Sequence, residues 1–130
     1  MGVEYLTLPA STSVADAVAA VAAATTIQPE ALANIYTPDE HGRLAGVAAV
    51  VTLLQTTPTT PLHAAAQPNP VRVHPHADLI EVTTLMADHN LLTLPVIDEN
   101  QQIIGLITID DVLEATIPHN WRHREHTPGG

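Results

Sequence analysis

Gly105-Leu106-Ile107-Thr108-Ile109-Asp110-Asp111 is a short apolar run with one glycine that ends in a threonine and two aspartates. Beyond it Val112, Leu113, Thr116 and Ile117 recur at helical spacing. The pattern reads as a buried strand that turns directly into a helix. Thr108 and the aspartates fall at the turn. Free backbone N–H groups and the positive end of the helix dipole favour oxygen-rich ligands there. Such a turn suits a ligand-sensing module better than a catalyst.

On either side, the flanking sequence resolves into alternating strands and helices. Val71 and Val73 are strand positions, and Pro75-His76-Ala77 is a turn. Asp78 is placed to cap a helix, with Glu81 at the third position after it as in a capping box. Val82, Leu85, Met86 and His89 mark that helix's face. Leu92 to Ile97 reads as a strand, Asp98 to Gln101 as a turn and Gln102 to Thr108 as a strand. The helix from Asp110 to Ile117 is ended by Pro118.

The same order occurs earlier in the chain. Tyr5 to Leu8 is a strand, and Ser13 with Asp16 starts a helix whose face is Val14, Ala17, Val18 and Val21. Thr25 to Glu30 reads as a loop and Ala31 to Tyr36 as a strand. Asp39-Glu40-His41-Gly42 is a hairpin turn, Leu44 to Val50 a strand and Val51 to Gln55 a helix. Ser13 and Asp16 match Asp78 and Glu81 at an offset of 65, whereas Asp39, Gly46 and Leu54 match Asp98, Gly105 and Leu113 at 59. A six-residue insertion near residues 25–30 accounts for the difference. The expected fold is therefore α/β (α+β), with two β-α-β-β-α repeats packed with pseudo-two-fold symmetry, because neither half buries its sheet alone. The boundaries are 1–57 for the first repeat, 58–70 for a linker with a short helix over Leu62 to Gln67, 71–118 for the second repeat and 119–130 for a polar tail.

Composition narrows the function. Hydrophobic residues make up 45% of the 130, but aromatics only 2%, so Ala, Val, Leu and Ile must build the core. There is no cysteine, which rules out disulfides and thiolate metal sites. No apolar run approaches the roughly 20 residues of a membrane span. Fourteen acidic residues against four arginines give a formal charge of -10. Nucleic acid is excluded as a partner, since too few cations face its phosphates. Divalent cations are the natural electrostatic expectation.

Leu94-Pro95-Val96-Ile97-Asp98, followed by Gly-x-x-Thr-x-x-Asp at Gly105, Thr108 and Asp111, resembles a tandem pair of cystathionine-β-synthase-type (CBS) domains, a Bateman module. The resemblance covers roughly Glu4 to Ile117. Within it, the stretch from Ala33 to Val47 and the ending Ile117-Pro118-His119-Asn120-Trp121-Arg122 are similar to the cytosolic CBS pair of MgtE-type magnesium transporters and to soluble proteins with MgtE-like domains. Related pairs accompany Nramp-like transporters. The resemblance implies a homodimeric cytoplasmic regulatory module, attached to a transmembrane transport domain, that senses an adenosine nucleotide (AMP, ADP or ATP) or Mg2+. It also implies residue roles. Asp111 would accept from ribose hydroxyls, Thr108 would reach ribose or phosphate, and Val71, Val73, Leu94, Pro95 and Ile109 would line the base pocket. Arg72, with His74 and His76 beside it, is the candidate phosphate contact. In the first half the corresponding positions are Ala49 and Thr52, so one nucleotide pocket per chain is expected, in the second half.

The alternatives are a dimerisation module without a physiological ligand, the regulatory domain of another (Nramp-like) transporter, or a soluble MgtE-like protein. An enzyme is not expected. There is no cysteine nucleophile, Ser11 and Ser13 sit at a helix start, and no Gly-rich phosphate loop is present. Metal ligands are not assignable from spacing. Asp39, Glu40, Asp88, Asp98, Glu99, Asp110 and Glu114 are the acid-rich positions, and His119, His123 and His126 form a histidine group in the tail.

Overall fold

A computed structural model describes residues 4–116. The elements run α1 (Val14–Ala23), a 3-10 turn (Pro29–Leu32), β1 (Asn34–Pro38), β2 (Leu44–Ala49), α2 (Val50–Leu54), α3 (Leu62–Ala65), β3 (Gln67–Pro68), α4 (Leu79–Asp88), β4 (Thr93–Ile97), β5 (Ile103–Thr108) and α5 (Ile109–Thr116). The fold is α+β with two corresponding halves.

The correspondence extends to hydrogen-bond register. In the first hairpin Asn34 pairs with Ala49, Tyr36 with Val47 and Thr37 with Gly46, and an irregularity follows Thr37. In the second, Thr93 pairs with Thr108, Pro95 with Leu106 and Val96 with Gly105, and the irregularity follows Val96. Every one of these positions is related by the offset of 59. The turns match as well. Asp39 accepts from the backbone N–H groups of His41 and Arg43, and Asp98 accepts from those of Asn100 and Gln102. This is aspartate turn chemistry, and it fixes both registers. Both helix starts are capped as the sequence predicts: Ser13 Oγ accepts from Asp16 N, and Asp78 Oδ1 accepts from Glu81 N.

Several elements differ from the sequence expectation. The strands at Tyr5 to Leu8 and Val71 to Val73 shrink to single parallel bridges, Thr7 to Tyr36 and Val73 to Val96. The second strand starts at Asn34 rather than Ala31, because Pro29 opens a 3-10 turn that buries Ala31. His89 lies at the C-terminal end of α4 and is exposed, so Val82 and Met86 carry that helix's buried face. The segment expected as a linker contributes β3, which pairs with β2 through Gly46–Pro68 and Val47–Gln67. Pro68 is tolerated there because an edge strand need not donate on its outer side. A Cβ on Gly46 would lie 2.7 Å from Thr37 Oγ1 on β1 and 3.3 Å from the Gln67 carbonyl on β3, so glycine lets β2 pack closely against both neighbouring strands.

The buried side chains form three groups. One lies inside the first half (Val14, Ala17, Ile35, Ala48, Leu53, Leu62), and one lies inside the second (Val73, Val82, Met86, Leu94, Val96, Val112). The third, Ala31, Tyr36, Leu44, Ile97 and Leu106, draws on both halves and forms the seam between them. Hydrogen bonds reinforce the seam. Leu44 N donates to the Gln101 carbonyl, and Asn34 Nδ2 donates to Thr93 Oγ1 at 2.9 Å. The hydroxyls of Tyr36 and Thr93 are 2.5 Å apart. Burial pushes the Tyr36 phenol up to about 12, partly opposed by its bond to Thr93. Among the described residues no helix is long and apolar enough to cross a membrane.

Candidate ligand site at the second strand-to-helix turn

Thr108 ends β5 and stands immediately before α5. Its Oγ1 accepts from Asp111 N at 3.3 Å, and its own N–H donates to Asp111 Oδ2 at 3.3 Å. The pair is a reciprocal capping box, in which each side chain satisfies a backbone donor that the start of a helix leaves free. Ile109 N donates to the Leu92 carbonyl, which ties the first turn of α5 to the beginning of β4. Thr108 is fully buried and Asp111 is exposed. The hydroxyl is therefore held in the protein, while the carboxylate keeps an oxygen and lone pairs for a ligand.

Asp111 lies on a cleft of about 220 Å³, shared with Ala77, Leu79, Val82, Ile107 and Val112. One carboxylate on an otherwise apolar lining suits a ligand with a flat apolar part and adjacent hydroxyl donors. The helical and strand periodicity of the sequence assigns Val82, Ile107 and Val112 to the core. It cannot reveal that they also border a cleft, because that depends on how α4 meets α5.

The other predicted residues are distributed as follows. Val71, Val73, Leu94 and Ile109 pack in one apolar group, the core of the second half. Val73, Leu94 and Pro95 are buried, and the Pro95 carbonyl accepts from Val73 N. Arg72 Nε donates to the Pro70 carbonyl and an Nη to the Leu44 carbonyl at 3.2 Å, which ties the chain ahead of α4 to the first half. Thr108, Asp111, Ile109, Val71, Val73 and Leu94 thus belong to one neighbourhood, while Arg72 is turned to the seam.

The mate of this turn, at Ala49, has no side-chain cap, and Thr52 is exposed. Among the described residues no group of three His, Asp or Glu side chains gathers to hold a metal ion. His119, His123 and His126 lie outside the described residues.

Residues 62–117 match the family model of the CBS domain. Over 86 residues, 66% of its length, the chain is 40% identical to the magnesium transporter MgtE of Thermus thermophilus. It spans about a fifth (19%) of that relative. In structure it matches the cytosolic domain of the Mg2+ channel MgtE in complex with ATP, with a TM-score of 0.80 and 32% identity, covering 85% of this chain and 44% of that one. The CBS domains of a transcriptional regulator from Streptococcus pneumoniae share the fold, with a TM-score of 0.71 at 18% identity over 84% of this chain and 86% of theirs.

Proposed function

We propose, from the premise that this chain is a tandem CBS-domain module similar to the cytosolic CBS pair of MgtE-type magnesium transporters, that it is the regulatory part of a divalent-metal transport system. In this reading it binds an adenosine nucleotide at the Thr108–Asp111 turn and passes its occupancy to a transmembrane domain in the cytoplasmic membrane. The observation that carries the reading is the likeness, at 32% identity, to an MgtE cytosolic domain in complex with ATP. The geometry supports it, because the exposed Asp111 carboxylate sits on an apolar cleft and offers the acceptor that ribose hydroxyls require.

Thr108 holds the turn, and Asp111 takes the ribose. Ile109, Val71, Val73, Leu94 and Pro95 back the base-binding side, and Arg72 reaches phosphate only by leaving its two carbonyl partners. The triphosphate meets a chain of formal charge -10, so a divalent cation bridges the two, held by exposed carboxylates such as Asp110 and by water. The module's role is regulatory rather than catalytic. It acts as a homodimer through exposed apolar helix residues: Val51 and Leu54 on α2, Ile80 on α4 and Leu113 on α5.

Calorimetry of the chain with ATP, ADP and AMP, each with and without Mg2+, tests the reading. Binding that is lost or weakened in Asp111→Ala and strengthened by Mg2+ for ATP is expected. Absence of binding by all three overturns the nucleotide role. It leaves the second reading, a dimerisation module without a ligand, which the same exposed apolar residues favour. Sedimentation of the chain beside a Leu54→Glu/Leu113→Glu variant tests that reading, with dissociation to monomer as the expected result.

A further inference from the structure

Asn34 and Thr93 occupy equivalent places in the two halves, and they touch. Asn34 is the register partner of Ala49, the residue before α2, and Thr93 is the register partner of Thr108, the residue before α5. Each turn is also pinned to the residue just ahead of its own partner strand: Val50 N to the Ala33 carbonyl at 3.0 Å, and Ile109 N to the Leu92 carbonyl at 2.9 Å. Asn34 Nδ2 donates to Thr93 Oγ1, and the buried Tyr36 hydroxyl meets the same oxygen. Thr93 is 3% exposed and Tyr36 1% exposed. A hydroxyl of one half therefore satisfies two polar groups of the other in a seam where Thr93 and Tyr36 are buried and Asn34 is half-buried, so leaving the Tyr36 hydroxyl unpaired is unfavourable.

We propose that Thr93 is a positioning residue that makes the first half register the state of the Thr108–Asp111 turn, and thereby couples the two strand-to-helix turns. The regulatory meaning of this coupling rests on the nucleotide reading above, but the coupling itself does not. A displacement of Thr108 shifts Leu92 and Thr93 through the strand register and the Ile109–Leu92 bond. Thr93 cannot move without stretching its bonds to Asn34 and Tyr36, and Asn34 lies in register with the start of α2. The route is a continuous chain of hydrogen bonds and strand pairing, the kind of physical connection that coupling between sites needs. Substitution of one hydroxyl interrupts it.

The test uses amide hydrogen exchange of the full chain without nucleotide, with Asp111→Ala as the perturbation, since that change removes half of the capping box. Faster exchange at Ile109 to Val112 is the local effect. The expected coupled effect is exchange roughly two- to tenfold faster at Asn34 to Thr37 and at Val50 to Leu53. In a Thr93→Val background the local effect persists and the first-half increment disappears. Thr93→Ser keeps the hydroxyl and restores the increment, and it serves as the folding control if Thr93→Val loses structure. An Asp111→Ala effect confined to the second half, or a first-half increment of equal size with Thr93→Val, overturns the proposal. Repeating the measurement with ATP and Mg2+ separates the two readings. If ATP binds nowhere, the nucleotide role fails while the ligand-free result still decides the coupling.

Discussion

At Thr108 the strand passes into the helix through a hydroxyl and a carboxylate; at Ala49 the same passage is made by backbone alone. Both turns keep the bond from the first helical N–H to the carbonyl ahead of the partner strand. Both keep the hairpin register and the irregularity one residue from the strand end. The comparison separates what the fold requires from what it permits. Strand pairing and one backbone bond suffice to make the turn, so the side chains at its two key positions are free to differ. The second half uses that freedom to place a carboxylate on a cleft and to start a helix that holds eight of the described residues, whereas α2 runs for five.

The largest test of the comparison lies in the seam. Leu106 is fully buried among residues of both halves, while its mate Val47 is half-buried. Leu106→Ala is expected to destabilise the protein by about 2–5 kcal/mol and Val47→Ala by clearly less, measured by urea unfolding. Equal losses would mean that the halves contribute alike to the seam.

Alkaline pH probes the same seam from the first half, where Tyr36 is the counterpart of Pro95 in the second. The folded state holds the phenol proton to about pH 12, above its ordinary value of 10. Above pH 10 the unfolded chain binds fewer protons than the folded one, so stability falls as pH rises. The contribution is full below pH 10 and is lost progressively through 12, on the order of 2–3 kcal/mol in all. Tyr36→Phe should remove most of this slope from denaturation curves taken between pH 9 and 12, leaving only the smaller part due to Tyr5, whose phenol burial also pushes up. Persistence of the full slope would place its origin elsewhere.

Nucleotide binding should divide the two turns more sharply than stability does. Asp111→Ala is expected to weaken ATP roughly ten- to a hundredfold through loss of one charge-assisted bond, and Thr52→Ala to leave the affinity unchanged. A matching loss from Thr52→Ala in calorimetry would mean that the first turn also holds a ligand. The smallest effect is constructive. Ala49→Thr with Thr52→Asp copies the capping box into the first half and should add about 0.5–1 kcal/mol in thermal unfolding. No gain would mean that α2 is limited at its C-terminal end rather than at its start.

Much of this architecture was legible in the residues. The duplicated spacing of Asp39 and Asp98, Gly46 and Gly105, and the caps at Ser13 and Asp78 specify turns and helix starts through local chemistry, and local chemistry survives in a linear sequence. The Thr108–Asp111 pair was legible as a turn, and its ordinary role as a capping box coexists with the proposed one. Other features depend on who meets whom. The resemblance implies a base-pocket lining for Leu94 and Pro95; the fold adds that both side chains are fully buried, which no sequence spacing states. Arg72 stands beside two histidines in sequence but donates to carbonyls, one of them across the seam. Thr93 carries no periodic or motif signal, and only packing of the halves puts it against Asn34 and Tyr36. Gln67 reads as the end of a short helix and Pro68-Asn69-Pro70 as its stop, because proline cannot donate to a ladder; the strand shows only once the fold brings Gly46 and Val47 opposite Pro68 and Gln67.

That small strand changes how the molecule can be divided. Gln67 and Pro68 lie beyond the first repeat in sequence, within the stretch that matches the CBS family model, yet they complete the sheet of the first repeat. Ownership of residues is interleaved, and the boundary along the chain is not a boundary in space. A scission between the repeats would leave the upstream fragment with an uncovered β2 edge and the downstream fragment with an orphaned strand. Because the two repeats share this sheet, truncation maps or chimaeras should exchange the pair whole.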